Sequence, residues 1–584
     1  MSARISHSLL TGGCLALVAA GACKSDSSLS PTNSLDPIPN PSGPVNLGDL
    51  VSLNVNGNDP CTGAVYHAAR VVAISEKAII LSDTLNPKNG FTTADFQRFA
   101  TRFDTLVYPL DVANFGEPLD IDKNGHIAIL FTRAVNELTP ARANSYVGGF
   151  VFSRDLFPVT ATARAQACAG SNQGEYFYML APDPTGVVNG NVRTTGFVDS
   201  ATVPVLAHEF EHLINAARRL YVNTAPTFED KWLDEGLAHI AEELLFYRES
   251  GLAPRSNIGI TALRAGGGAT AFGTMGGNLS RYRSYLQAPD GNSPYALDDS
   301  LATRGATWSL LRYAVDRVNA TDGFIAGNGQ LASGGSDLVL TSGATAGDFA
   351  ITLVNTSLQG GSSASFAFRS TPGPGTVSIP IATTTASASV ARVAREDSDV
   401  LHQDERFEAR LRARERAELT PLMAGARAWY ASQSMPSSPA LRSQSAYASS
   451  SFADADAATW FRLVNSTTAG ITNLQSIVGG DLAGFVRDWS VSHAVDDVAA
   501  LNTQYQQRSW NWHSIYPVVS GPIGTYPLQS PLIATSATTT GTIVAGGAQF
   551  YRMTVPANGT ATLNLGASSG VVSPTLQLVV VRTK

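Results

Sequence analysis

The chemistry of this chain concentrates at residues 208–212, where His-Glu-Phe-Glu-His follows the apolar run VPVLA. Two histidines four apart on a helix share one face, one turn from each other. His208 and His212 can therefore reach a single metal ion. Glu209 beside them can address a water held by that metal. The chain has only nine histidines, which makes a chance pair a poor account; the plain alternative is a surface helix with two incidental imidazoles. A catalytic zinc takes three protein ligands and keeps one position for water. Asn215 and Arg218 occupy the offsets where a glycine and a third histidine would follow such a motif, so that arrangement is excluded. Glu235, in WLDEGLAHIAEE on a second predicted helix, supplies a carboxylate ligand instead. With one Zn2+ on His208, His212 and Glu235, Glu209 acts as general base on water and returns the proton to the leaving group.

Other residues can support such a site. Tyr282, Tyr285, Tyr313 and His239 are candidates to stabilise an oxyanion or to orient a ligand. His239 follows Glu235 by one helical turn, and its plain reading is a packed or exposed helical histidine. Asp234 and either Glu242 or Glu243 can supply carboxylates to the ligand imidazoles; their plain reading is surface charge.

WLDEGLA is similar to the third-ligand run of aminopeptidase N-like enzymes, with a longer spacing from the second histidine. A broader likeness covers PLDIDKNGHIAILFT, YVGGFVFSRDLF, GEYFYMLAPDP, HEFEHLINAARR and WLDEGLAHIAEE, and more weakly 302–318 and 457–512. In these segments the chain resembles the hyicolysin family of secreted bacterial metallopeptidases, which are gluzincin-type zinc peptidases. The resemblance implies a zincin fold, proteolysis, His208, His212 and Glu235 as zinc ligands, and Glu209 as catalytic acid/base. It does not reach 320–455. In thermolysin-like enzymes the position of His239 holds an aspartate that orients a ligand histidine, so the orienting groups must differ here.

These residues need elements to position them. Helical periodicity predicts helices over 93–107, 202–219, 230–249, 303–318, 457–466 and 479–495, and strands at 146–153 and 175–181. The fold class expected is α+β, a zincin-type core with a twisted sheet over the HEFEH helix and small β-domains beside it. The expected order is a signal peptide over 1–22 and a tether over 23–44, then a small β-domain over 45–92. The catalytic domain follows over 93–319, with an inserted β-rich and charged-helical region over 320–455. Its second helical part covers 456–516, and a C-terminal β-domain covers 517–584. The alternating charges of 391–432 read as a solvated helix face.

Composition narrows the remaining classes. A chain of 584 residues needs several folding units. Net charge is −7 with no basic stripe, which argues against a nucleic-acid partner. Arg4, the short apolar run Leu9–Ala19 and the small residues before Cys23 read as a bacterial lipoprotein signal. Cys23 is then the lipidated residue, and the protein is exported and membrane-anchored, or secreted. Cys14 leaves with the signal, so Cys61 and Cys168 remain as a candidate disulfide in an oxidising compartment. Asp120, Asp122 and Asn124 before Gly125 fit the first half of a calcium loop, but Phe131 stands where the distal acid belongs. A polar turn before a strand is the simpler reading there. The substrate expected is a protein or peptide, cleaved internally because no motif for a free amino terminus is evident. The rival from another class is an envelope lipoprotein that acts as a binding module with a structural or inactive zinc site. Glu209 argues against it, since a structural site has no use for a base. A zinc hydrolase of non-peptide bonds is a third reading.

Overall fold

The computed structural model describes residues 45–143, 145–162, 166–298, 300–320, 329–373, 402–403, 405–433, 450–495, 505–516, 537–568 and 570–584. The signal and the whole tether, Cys23 included, lie outside the described residues.

The first half of the chain builds a sheet and the helices on it. Strands β1 (Leu50–Asn54), β2 (Tyr66–Ile74) and β3 (Ala78–Asp83) precede helices α1 (Thr93–Arg102) and α2 (Tyr108–Phe115). Next come β4 (Ile127–Thr132), α3 (Arg133–Leu138), β5 (Ser145–Tyr146), β6 (Gly149–Val151) and β7 (Tyr176–Leu180). Six strands form one sheet in the order β1-β2-β3-β4-β7-β6. The β3–β4 and β4–β7 pairs are parallel, and the others are antiparallel. Residues 45–92 are therefore not a separate β-domain: their three strands are half of this sheet. β4 and β7 are buried along their whole length, which fits their apolar composition and the cover on both faces. The disulfide joins Cys61 to Cys168, 107 positions apart in sequence, and ties the β1–β2 connection to the segment before β7.

A helical layer follows. It comprises α4 (Thr195–Ala217), α5 (Lys231–Ser250), α6 (Ile260–Leu263), α7 (Gly266–Gln287) and α8 (Leu301–Val318). Thr194 caps α4 by accepting from the Phe197 amide. α4 packs on β6 and β7, and α5, α7 and α8 pack on one another beyond it. Phe210, Leu213 and Ile214 of α4 join Phe103 and Phe177 in one continuous core.

The second half departs from the expected domain order. Strands β8 (Gln330–Ser333), β9 (Asp337–Thr341), β10 (Gly347–Asn355) and β11 (Ser363–Pro372) precede β12 (His402–Gln403) and α9 (Glu405–Arg414). Helices α10 (Met423–Ala431), α11 (Ala457–Val464), α12 (Gly470–Val478), α13 (Leu482–Val495) and α14 (Trp512–Ile515) come next. The chain ends with β13 (Ala537–Val544), β14 (Ala548–Val555), β15 (Thr560–Gly566) and β16 (Leu576–Arg582). Two four-stranded sheets, β14-β10-β16-β8 and β13-β11-β15-β9, interleave strands from both ends of this half. Among the described residues, the strands of 320–455 and those of 517–584 do not form separate units. β8–β11 and β13–β16 complete each other around a shared core that includes Ile351, Phe366, Leu563 and Leu578. Alternation along a strand shows that one face is buried but not which distant strand pairs with it.

Candidate metal centre

α4 and α5 bring the three expected ligands together. His208 Nε2 lies 3.2 Å from His212 Nε2. Glu235 Oε2 lies 3.4 Å from His208 Nε2 and 3.6 Å from His212 Nε2. Ligands held about 2.0–2.1 Å from a tetrahedral zinc are about 3.3 Å apart, so this triangle has the size that such an ion requires. Two imidazoles and one carboxylate are also its ordinary donor set. Both oxygens of Glu209 are buried without a hydrogen-bond partner. A water in the pocket would give them one.

Both ligand histidines are held from behind by α5. Glu242 Oε1 is 2.9 Å from Nδ1 of His208, and Asp234 Oδ2 is 3.1 Å from Nδ1 of His212. A carboxylate on Nδ1 fixes the tautomer that leaves Nε2 for a metal. One helix thus supplies a ligand and both orienting groups. Glu243 points elsewhere: it takes hydrogen bonds from Arg312, Tyr247 and Trp510. His239 packs its ring 4.9 Å from that of His208 and lies 3.3 Å from Glu242. Burial, with Arg281 nearby, pushes its pKa down to about 3, so it stays neutral. It is a neighbour of the orienting carboxylate, which is Glu242.

The three tyrosines sit in the aromatic core. Tyr282 packs on Trp512 and accepts from Gln507, Tyr285 stacks on Trp489, and Tyr313 lies under the Arg317 guanidinium. These contacts account for them as packing residues of α7 and α8.

Arginines surround Glu235 instead, and the sequence offered no sign of them. Arg304 Nη1 lies 2.8 Å from Glu235 Oε2 and 2.6 Å from Glu408 Oε2. Arg412 Nε lies 3.7 Å from Glu235 Oε1 and 3.4 Å from Asp234 Oδ2. Arg304 arrives there through two close helix crossings. A Cβ on Gly236 would stand 2.5 Å from Thr307 Cγ2, and one on Gly305 would stand 2.2 Å from the Arg281 carbonyl carbon. Only glycine lets α8 press onto α5 and α7 at these points.

Among its described residues the charged stretch that holds Arg412 has a solvated face, with Arg410 and Glu418 exposed, and a buried one, with Glu408, Arg412 and Glu415. On α9, Phe407 and Leu411 enter the apolar cluster around Phe150, with the Phe407 and Phe150 rings 5.2 Å apart. Glu408 and Arg412 form the adjacent stripe one residue on, and so face the metal centre. Glu415 accepts from the Ser153 amide and pairs with Arg412. His208, Glu209 and Glu235 are 0% exposed and His212 is 1% exposed, so the centre is closed to solvent.

Electrostatics follow from this burial. Burial would raise the Glu235 carboxyl, but Arg304 and the two imidazoles outweigh it and hold it well below its usual value. Burial would lower His208, yet Glu235 and Glu242 carry it up to about 9. Negative charge around these imidazoles calls for a proton or a cation between them. Burial pushes Glu209 up to about 7, against the pull of His208 and His212.

No family model matches the chain. Over 235 residues the chain is 26% identical to the neutral metalloprotease ShpI of Staphylococcus hyicus, a stretch covering 39% of this chain and 50% of that protein. The chain thus spans about half the length of the relative it matches, and the likeness is to a metallopeptidase.

Proposed function

We propose that this chain is a zinc-dependent peptidase, with His208, His212 and Glu235 as ligands and Glu209 as general base. The single observation that carries the proposal is the triangle of 3.2, 3.4 and 3.6 Å between the three ligand atoms, with an unpartnered Glu209 beside it. A zinc bound there polarises a substrate carbonyl and lowers the pKa of water to about 7. Glu209 takes the proton from the attacking water and delivers it to the departing amine. Asp234 and Glu242 hold the two imidazoles in register. We read α4 over the mixed sheet, with the third ligand on the next helix, as a zincin-type core of the hyicolysin-like kind.

A protein substrate cannot reach a centre that α9 covers, so the reading requires α9 to move aside or be removed. A cavity of about 260 Å³ between α4 and α7, lined by Pro204, Glu242, Gly277 and Arg281, reaches the back of the His208 site and can take a substrate side chain. Internal cleavage of polypeptides is part of this reading and rests on the sequence, in which no motif for a free amino terminus is evident. Export with Cys23 as a lipid anchor belongs to the same reading. Cys23→Ser should move the protein from membranes to the soluble exported fraction, and a wild type already soluble would remove the anchor. The proposal as a whole is tested by metal analysis of the purified protein together with casein digestion, with and without chelator. One zinc per chain and chelator-sensitive digestion are expected. Absence of zinc, or digestion indifferent to the chelator, would discard it.

A further inference from the structure

A second cluster of oxygen donors lies at the sheet end of β4 and β7, formed by groups that the metal centre does not use. The loop Asp120–Gly125 reverses through positive φ at Lys123 (62°) and Gly125 (76°). Asp120 and Asp122 thereby come to the same side. The distal acid that this loop lacks in sequence arrives from another strand: Glu175, immediately before β7, brings a carboxylate oxygen within 4.8 Å of those of Asp120 and Asp122. Glu175 is 1% exposed. Its Oε1 accepts from the Ile121 amide, and its Oε2 is buried with no hydrogen-bond partner. Gly174 permits the approach, since a Cβ there would stand 3.0 Å from Asp122 Oδ2.

Burying a carboxylate among two others is costly unless a cation offsets the charge. Asn124 turns its amide onto Asp122, and the Lys123 ammonium reaches away to the Gln433 carbonyl. His126 bonds the carbonyls of Asn124 and Ser75 through its two ring nitrogens. The carboxylates therefore offer an all-oxygen site, and one oxygen of the buried Glu175 carboxylate has no hydrogen-bond partner. We propose that Asp120, Asp122 and Glu175 bind one calcium ion, which clamps the loop entering β4 to the start of β7. Hard oxygen donors from flexible carboxylates, with backbone oxygens and water completing the shell, suit calcium. Zinc prefers nitrogen and sulfur, and magnesium demands a tighter octahedron. The ion would lock the parallel β4–β7 pair, in which Ala128 faces Tyr176, and α4 lies on β7. Its role is stability of the sheet beneath the metal centre.

The test is independent of peptidase activity. The mature chain, stripped of divalent metal and reloaded with zinc, is titrated with CaCl2 by calorimetry up to about 5 mM, because extracellular calcium modules bind at about 10⁻⁴–10⁻³ M. One calcium per chain and a Tm rise of at least about 2 °C are expected. Glu175→Gln and Asp122→Asn should each weaken binding at least about tenfold and abolish the Tm rise. Should Glu175→Gln fail to fold, Asp120→Asn at the exposed edge carries the same expectation. Absence of calcium binding, an equal response to MgCl2, or binding undiminished in the variants would overturn the site.

Discussion

Glu242 Oε1 stands 2.9 Å from Nδ1 of His208, while Nε2 of the same ring faces His212. That contact fixes which imidazole nitrogen is free for a metal. Glu242→Gln should therefore weaken zinc binding by about 10–100-fold, measured by competition with a chromophoric chelator. Glu243→Gln is the control: its partners Arg312 and Trp510 lie away from the ligands, so it should lower Tm and leave zinc affinity unchanged. Equal zinc affinity in Glu242→Gln and wild type would remove the orienting role.

Two substitutions on α4 should fail in different ways. Glu209→Gln keeps the ligands and removes the base, so zinc should remain while peptide hydrolysis falls at least about 100-fold. His212→Ala should lose the metal itself, because two ligands hold zinc poorly. A binding module predicts no such split. Glu209→Gln that digests protein at the wild-type rate would end the enzyme reading.

The cover formed by α9 has a measurable cost. Glu408 pairs with Arg304 across the centre at 2.6 Å. Glu408→Ala weakens the closed arrangement without touching a ligand, and a shift of about 1.4 kcal/mol towards an open state would raise kcat/KM for a short peptide about tenfold. A rate at or below that of wild type would show that α9 does not limit access.

Acid stability should report on Asp83, at the end of β3. Burial raises its carboxyl, but hydrogen bonds from His67 and Thr132 outweigh this and hold it below the usual value. A depressed carboxylate contributes stability that is fully present above its unfolded value of about 3.9 and is lost as pH falls through the lower folded value. Asp83→Asn should cost about 2 kcal/mol at neutral pH. The Tm gap from wild type should then narrow below about pH 4. A gap constant from pH 7 to pH 3 would assign the loss to packing instead of charge.

The sequence by itself determined the part of the site that is local. His208, Glu209 and His212 share a helix face because of a spacing of four, and Glu235 belongs to the next helix because its run is amphipathic. α5, α8 and α13 were legible from the same periodicity. α7 was not: six glycines between 266 and 287 argue against a helix, which forms here because it is packed between α5 and α8. The pairing of Cys61 with Cys168 was expected from counting the thiols that export would leave, and the structure holds that disulfide. What only the tertiary structure decided are relations between residues far apart in sequence. Arg304 and Arg412 converge on Glu235 because Gly236 and Gly305 let helices touch and because Phe407 and Leu411 anchor α9. Glu175 completes the Asp120–Asp122 loop across two strands. β8–β11 pair with β13–β16 around a shared core. In each case the residues carry no local pattern of their own, since charge pairing and strand partnership are set by three-dimensional packing and not by neighbours in the chain.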